Sequence, residues 1–139
     1  MADIKLLATR VYNKSKSCML MRQYKSGMWA FPTTSIPVDD DPVFHIHEFA
    51  RTHILGDYDI IAAVGIFEFT MEDASGDKSF NYVYDLIYNG FILPHIPDDL
   101  TRYKNGRWMM IEAIKKEKDL TYLMQKFMSL MEKSKCIPL

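Results

Sequence analysis

Between Met28 and Gly56 the chain runs through a short aromatic strand, Trp29-Ala30-Phe31-Pro32, a loop from Thr33 to Pro37, and an acidic stretch, Asp39-Asp40-Asp41-Pro42. No other segment limits the fold as much, because chemistry fixes both ends of the helix it leads into. Asp41 can accept a hydrogen bond from a free amide of a first helical turn, and Pro42, just inside, has no amide to lose and a φ already suited to a helix. Gly56 can take the left-handed conformation that ends one. The pattern predicts a helix from Val43 to Leu55. On it Val43, Ile46, Phe49, Ala50, His53 and Ile54 share one arc, and Asp41, His45, Glu48 and Thr52 share another. The first arc is for burial, and the second is open to chemistry.

The flanking sequence reads mainly as strand. Ile4 to Tyr12 alternates, Asn13 to Ser17 is a polar turn, and Cys18 to Arg22 returns antiparallel as a hairpin. Asp59 to Met71 is apolar on both parities before it alternates, as a strand covered on both faces would be. Glu72 to Lys78 has loop composition, and Phe80 to Leu93 pairs back with Phe80, Tyr82, Tyr84, Leu86 and Tyr88 on one face. A loop from Pro94 to Gly106 leads to a short strand, Arg107 to Ile111, and Glu112 and Lys116 are spaced for a helical ion pair. Leu120, Leu123, Met124, Phe127, Met128 and Met131 then form one helical stripe, with Asp119 placed to cap it. The class is α+β, and 139 residues suffice for a single domain spanning 1–139 with a core of its own.

Composition excludes several partners. A net charge of -1 gives no global electrostatic footprint for nucleic acid or a membrane surface, so an anionic ligand has to be held by a local patch. Cys18 and Cys136 are too few for a secreted disulfide framework and read as free thiols. No stretch reaches the roughly 18 apolar residues of a membrane span, and the amino terminus lacks a basic segment followed by an apolar core. The expectation is an intracellular, cytoplasmic protein. Ten methionines supply flexible apolar side chains suited to irregular packing.

Some residues have both a chemical and a plain reading. Asp41, His45 and Glu48 share a helix face, with His47 and His53 nearby, a set that could bind an imidazole-seeking metal such as zinc. The plain reading makes Asp41 a cap, Glu48 a solvated acid and His53 a buried, hydrogen-bonded imidazole. Asp39, Asp40 and Asp41 could attract a cation, yet acids before a helix amino end are also what the macrodipole favours. Tyr82, Tyr84 and Tyr88 could stack bases or simply fill a core. No metal is assigned on these residues alone.

Taken together, two strands with Arg22 at the end of the second, then Trp29-Ala30-Phe31-Pro32, a loop, a helix, a long hairpin, a Trp-bearing strand and a last helix resemble the Nudix hydrolase superfamily along nearly the whole length. The resemblance implies a Nudix-like α/β/α sandwich, a mixed curved sheet between the box helix and a C-terminal helix. In the family W-x-F/L-P is followed by two glycines and a helix bearing several metal-binding glutamates. Here Thr33 and Thr34 stand for the glycines, and Asp40 falls on the first glutamate. Thr52 and His53 fall where the later carboxylates belong, and sliding the register by one residue recovers Glu48 alone. The resemblance also implies a cleft in which Arg22, Lys25 and Arg51 meet a phosphate or pyrophosphate and Trp29 lines the wall, with Asp98 and Asp99 in a loop that can carry recognition or catalytic acids.

The family hydrolyses nucleoside diphosphate derivatives with divalent cations, and magnesium demands several oxygen ligands. The expected function is therefore a Nudix-fold binding module that has lost metal-dependent hydrolysis, with no cofactor. Its partner would be a nucleotide, a nucleotide-containing small molecule, or an RNA or ribonucleoprotein particle such as a ribosome. The alternative is an active pyrophosphohydrolase that uses Mg2+ or Mn2+ with divergent ligands at Glu48 and Asp40.

Overall fold

A computed structural model describes residues 3–53, 61–97 and 102–139. Its centre is the strand β1 (Ile4–Asn13), which lies parallel to β6 (Lys78–Tyr88) from Ile4 beside Ser79 to Asn13 beside Tyr88. The other edge of β1 is shared. Its first half takes β4 (Thr33–Ile36), with Lys5 to Ala8 opposite Ile36 to Thr33, and its far end meets β2 (Cys18–Tyr24) at Tyr12 and Met19. Beyond β2 lie β3 (Trp29–Ala30) and β7 (Tyr103–Met110), while β5 (Ile61–Glu72) flanks β6 and carries β8 (Ile137–Pro138) on its outer edge. The sheet is mixed, because a parallel β1–β6 pair is embedded in antiparallel neighbours.

Alternation along the strands sends side chains to two different cores. Ala8, Met21 and Val83 join α2 (Ile111–Lys116) and α3 (Tyr122–Lys133) through Ile114, Met124, Phe127 and Met131. Leu7, Leu20, Tyr84 and Leu86 join α1 (Ile46–His53) through Ile46, Phe49 and Ala50. The result is an α/β/α sandwich with α1 on one face and α2 and α3 on the other.

Several local expectations are revised. The helix does not begin at Val43: Pro42–Phe44 form a 3-10 turn and α1 starts at Ile46, so Val43 is 49% exposed instead of buried. Asp41 caps that turn, its Oδ1 accepting from the amide of Val43 at 3.1 Å. The Thr33–Ile36 stretch is a strand and not a loop, because β1 offers it an edge that a local reading cannot see. The last helix is capped by Thr121, whose Oγ1 accepts from the amide of Met124 at 3.1 Å, and not by Asp119. Glu112 pairs with Lys115 at 3.5 Å, and not with Lys116. Strand β6 ends at Tyr88, short of Leu93, and β7 begins earlier than Arg107. The helix stop at Gly56, with Ile54 and Leu55, the strand start at Asp59, and Asp98 with Asp99 lie outside the described residues. Cys18 and Cys136 are both free thiols. Among the described residues no helix is long and apolar enough to cross a membrane.

Candidate functional site: two clefts at the start of the last helix

Two cavities meet at the amino end of α3. The larger, ≈ 600 Å³, is walled by Ile4, Leu6, Met71, Ser79 and Leu123, with three carboxylates, Glu72, Asp73 and Asp77, and two amines, Lys78 and Lys126. The second, ≈ 490 Å³, is lined by Tyr24, Lys25, Ser26, Met28 and Arg102, and its two charged residues are both basic. Tyr122, 76% exposed, lines both. The first carries charge of both signs and the second only basic side chains in an otherwise largely apolar wall, with the Tyr122 ring common to the two.

Local backbone chemistry builds this arrangement. The β2–β3 turn closes through Gly27, whose φ of 96° a side-chain-bearing residue rarely adopts, and through hydrogen bonds from the Gly27 amide to the Tyr24 carbonyl (2.9 Å) and from the Tyr24 amide to the Met28 carbonyl (2.8 Å). That turn carries Lys25 and Ser26 into solvent. Across the cleft, the Trp29 amide donates to the Asp119 carbonyl at 2.6 Å and the Thr121 amide donates to the Trp29 carbonyl at 3.0 Å. These bonds tie the start of α3 to β3. Arg102 Nη2 reaches the Thr33 carbonyl at 3.5 Å, which places this cation beside the start of β4.

Behind the basic cleft lies a buried polar group. Arg22 is 1% exposed, and its Nε donates to His53 Nδ1 at 3.2 Å, so that nitrogen carries no proton. The Arg22 guanidinium stands 5.1 Å from the centre of the Tyr103 ring, and the Tyr24 ring lies 4.9 Å from that of Tyr103. Burial, and then the neighbouring Tyr24, push the Tyr103 hydroxyl well above the usual tyrosine range. That hydroxyl is buried and has no hydrogen-bond partner among the described residues. Gly106 makes room for the group, since a Cβ there would lie 2.9 Å from Arg22 Nη1 and 2.7 Å from Ile96 Cγ2.

The residues singled out in sequence therefore separate. Lys25 is exposed in the basic cleft, whereas Arg22 and Trp29 (4% exposed) are interior, with the Arg107 guanidinium 4.7 Å over the Trp29 ring. His47, Glu48 and Arg51 are exposed on α1. Asp40 Oδ2 pairs with His45 Nε2 at 2.8 Å, and its backbone carbonyl accepts from Lys5 Nζ at 2.6 Å. Tyr84 and Tyr88 are each 5% exposed and belong to the α1-side core, so they offer no stacking platform. Sequence reasoning missed Tyr24, Arg102 and Tyr122, which are far apart in the chain. The signal available was an exposed aromatic at the first position of an otherwise amphipathic helix.

No family model matches the chain, and no curated protein matches it. Solved structures do. A Nudix hydrolase from Nitrosomonas europaea superposes with a TM-score of 0.69 at 12% identity, over 99% of this chain and 93% of that one. A C. elegans Ap4A hydrolase in a binary complex gives 0.62 at 13% identity, over 94% and 98%. The fold is the Nudix fold. A third similar structure is the bifunctional NMN adenylyltransferase/ADP ribose pyrophosphatase from Francisella tularensis, complexed with AMP and a Mn ion, with a TM-score of 0.69 at 15% identity. The match covers 94% of this chain and 41% of that longer one.

A Nudix fold raises the question of a divalent cation on α1. Within Ile46–His53 the one carboxylate is Glu48, and the flanking Asp40 and Asp41 are engaged with His45 and the Val43 amide. Among the described residues no three His, Cys, Asp or Glu side chains gather closely enough to hold a metal ion. Magnesium needs near-octahedral oxygen coordination. The donor set of α1 does not fit that requirement.

Proposed function

We propose that this chain is a Nudix-fold binding module for a nucleotide or nucleotide-containing small molecule, and that it has lost metal-dependent hydrolysis. The observation that carries the reading is the pair of clefts sharing Tyr122. A nucleotide has one aromatic end and one anionic end, and of the two cavities only the second has charged side chains that are all basic, with the Tyr122 ring beside them. The base would enter the 600 Å³ cleft against Tyr122 and Leu123, and the phosphates would lie on Lys25 and Arg102, away from the carboxylates of the first cleft. Arginine is suited to bidentate phosphate contact, and lysine acts as a point charge. In this reading Arg22 and Trp29 act from behind: Arg22 holds Tyr103 against Tyr24, and Trp29 anchors Thr121. Arg51, exposed on α1, is the residue that would meet a longer ligand reaching the box helix. Similar structures named for Ap4A and ADP-ribose chemistry support nucleotides as the ligand class.

The donor chemistry on α1 supports the loss of hydrolysis. With one carboxylate on the helix, charge building up on a pyrophosphate in the transition state would lack the cations that neutralise it. Thermal unfolding with ADP-ribose, ADP and diadenosine polyphosphates, each with and without Mg2+ or Mn2+, tests the proposal. Stabilisation should not depend on the metal, reaching about 2.7 kcal/mol at 100 times the dissociation constant, and should be lost in Lys25→Ala with Arg102→Ala. Turnover that disappears in Glu48→Gln would favour the alternative, an active pyrophosphohydrolase using Glu48 and Asp40. Binding confined to capped or plain RNA would move the ligand to a ribonucleoprotein partner.

A further inference from the structure

We infer that this chain docks on further copies of itself head to tail, with the Phe91–Ile92 loop tip of one copy seated in the larger cleft of the next. The inference does not depend on the nucleotide reading, although a base and the tip would compete for the same cleft.

The tip projects from the end of β6. Phe91 is 95% exposed and Ile92 84%, the two most exposed large apolar side chains among the described residues. Exposed apolar side chains scattered singly need no explanation, but two adjacent ones at a tip mark a contact surface. Lys14, from the neighbouring β1–β2 turn, holds its Nζ 4.9 Å from the centre of the Phe91 ring. That turn is fastened by Asn13, whose Oδ1 accepts from the amides of Ser17 and Cys18 at 2.9 Å each. It also carries Lys16, and neither 13–17 nor 89–93 contains an acid. The tip is therefore an apolar knob with a positive flank.

The larger cleft has the opposite form. Ile4, Leu6, Met71 and Leu123 give it an apolar wall, and Glu72, Asp73 and Asp77 outnumber its two lysines. One copy cannot fill its own cleft, because β1 and β6 both leave the cleft, at Ile4 and Ser79, and run parallel to the tip, at Asn13 and Tyr88. The ten residues of β1 hold knob and hole about 30 Å apart. A knob at one end and a hole at the other make a heterologous contact, which propagates instead of closing. A bilayer suits the tip less well, since two lysines fall short of the roughly four to eight that mark an anionic-lipid surface. One loop tip covers less than the about 1,200 Å² of a stable interface, so the association is weak and depends on concentration.

Sedimentation equilibrium from about 10 μM to about 1 mM, the range that a weak contact requires, tests the assignment. The mean mass of the wild-type chain should climb past that of a dimer without a plateau. Phe91→Ser with Ile92→Ser should stay monomeric, and so should Leu123→Arg, which puts a cation in the cleft wall. Mixed, these two variants should form a heterodimer and nothing larger, because the mixture keeps one intact tip and one intact cleft. The same pairing shows that both variants fold. Lys14→Glu with Lys16→Glu should lower the association constant about fivefold or more, the upper worth of an exposed ion pair. A wild-type chain that stays monomeric throughout, a closed dimer that survives loss of the tip, or variants that do not pair on mixing would overturn the assignment. So would a monomeric wild-type chain that sediments with phosphatidylserine vesicles, which would give the tip to a bilayer.

Discussion

The two faces of the sheet solve the packing problem differently. On the α3 side the core is mainly apolar, with Met19, Met21, Met109, Met124 and Met131 around Trp29, Phe31 and Phe127, beside one buried amide, Asn81. On the α1 side Leu7, Leu20 and Phe49 are joined by Tyr84 and Tyr88, and a buried Arg22–His53 pair lies under α1 with Tyr103 against it. The first face can deform round a change, because unbranched thioethers re-pack. The second depends on particular partners, and each of its polar groups destabilises the fold if its partner is lost. It is the compliant face that carries the larger cleft, through Leu6, Met71 and Leu123.

The sharpest way to break this contrast is to remove volume from the apolar side. Phe127 is 1% exposed and contacts Phe31 and Phe69 at ring distances of 6.0 and 5.3 Å. Phe127→Ala should cost about 3–5 kcal/mol in urea unfolding. A loss below about 1.5 kcal/mol would mean that the methionines collapse into the cavity more completely than any rigid core allows.

Adding one methyl group on the polar side should cost less, but still measurably. In Gly106→Ala the new Cβ meets Ile96 Cγ2 at 2.7 Å and Arg22 Nη1 at 2.9 Å, and neither is free to retreat from a buried cluster. A loss of about 1–3 kcal/mol is expected. Gly65→Ala is the control. Its Cβ would stand 2.6 Å from the Sγ of the exposed Cys136, which can swing away with the C-terminal strand, so the loss should stay below about 1 kcal/mol. Equal losses at the two glycines would remove the distinction between a fixed and a yielding neighbour.

At the junction of the faces, Thr121→Ala should lower stability by about 1 kcal/mol through loss of the α3 cap, whereas Asp119→Ala should change it by less than about 0.5 kcal/mol. The comparison is informative because sequence favoured the wrong residue. Asp119 and Thr121 are both good caps in isolation. What decides between them is that the Trp29 strand takes the Asp119 carbonyl and the Thr121 amide, which fixes where the helix can begin.

The same kind of non-local bond explains what else was hidden. The C-terminal stripe, the hairpin of β5 and β6 and the aromatic strand at Trp29 were legible because their signals repeat within a few residues. Strand β4 was not, because Thr33–Ile36 is extended only by virtue of the β1 edge beside it. Nor was the parallel β1–β6 pair, whose partners lie 75 residues apart and share no local pattern. The poverty of carboxylates on α1 could be read directly from Ile46–His53. The clefts could not, since Tyr24, Arg102 and Tyr122 converge only after folding.

The smallest effect should come from the buried phenol. Tyr103→Phe removes a hydroxyl that has no hydrogen-bond partner among the described residues, so the variant should match or exceed wild-type stability at neutral pH, by about 0–1 kcal/mol. The pH dependence has a definite sign. Burial raises the native Tyr103 hydroxyl above the ordinary tyrosine value, which the unfolded chain keeps at about 10. Below that pH both states are protonated and nothing changes. Above it the unfolded chain gives up a proton that the native state holds, so native stability is lost as pH rises. Melting temperatures taken from pH 8.5 to about 11 should therefore fall more steeply for the wild-type chain than for Tyr103→Phe, because Tyr12, Tyr82 and Tyr84, which are also shifted up, titrate alike in both. Parallel curves would mean that water reaches Tyr103 in the native state, and the polar side of the sheet would then be as compliant as the side built from methionine.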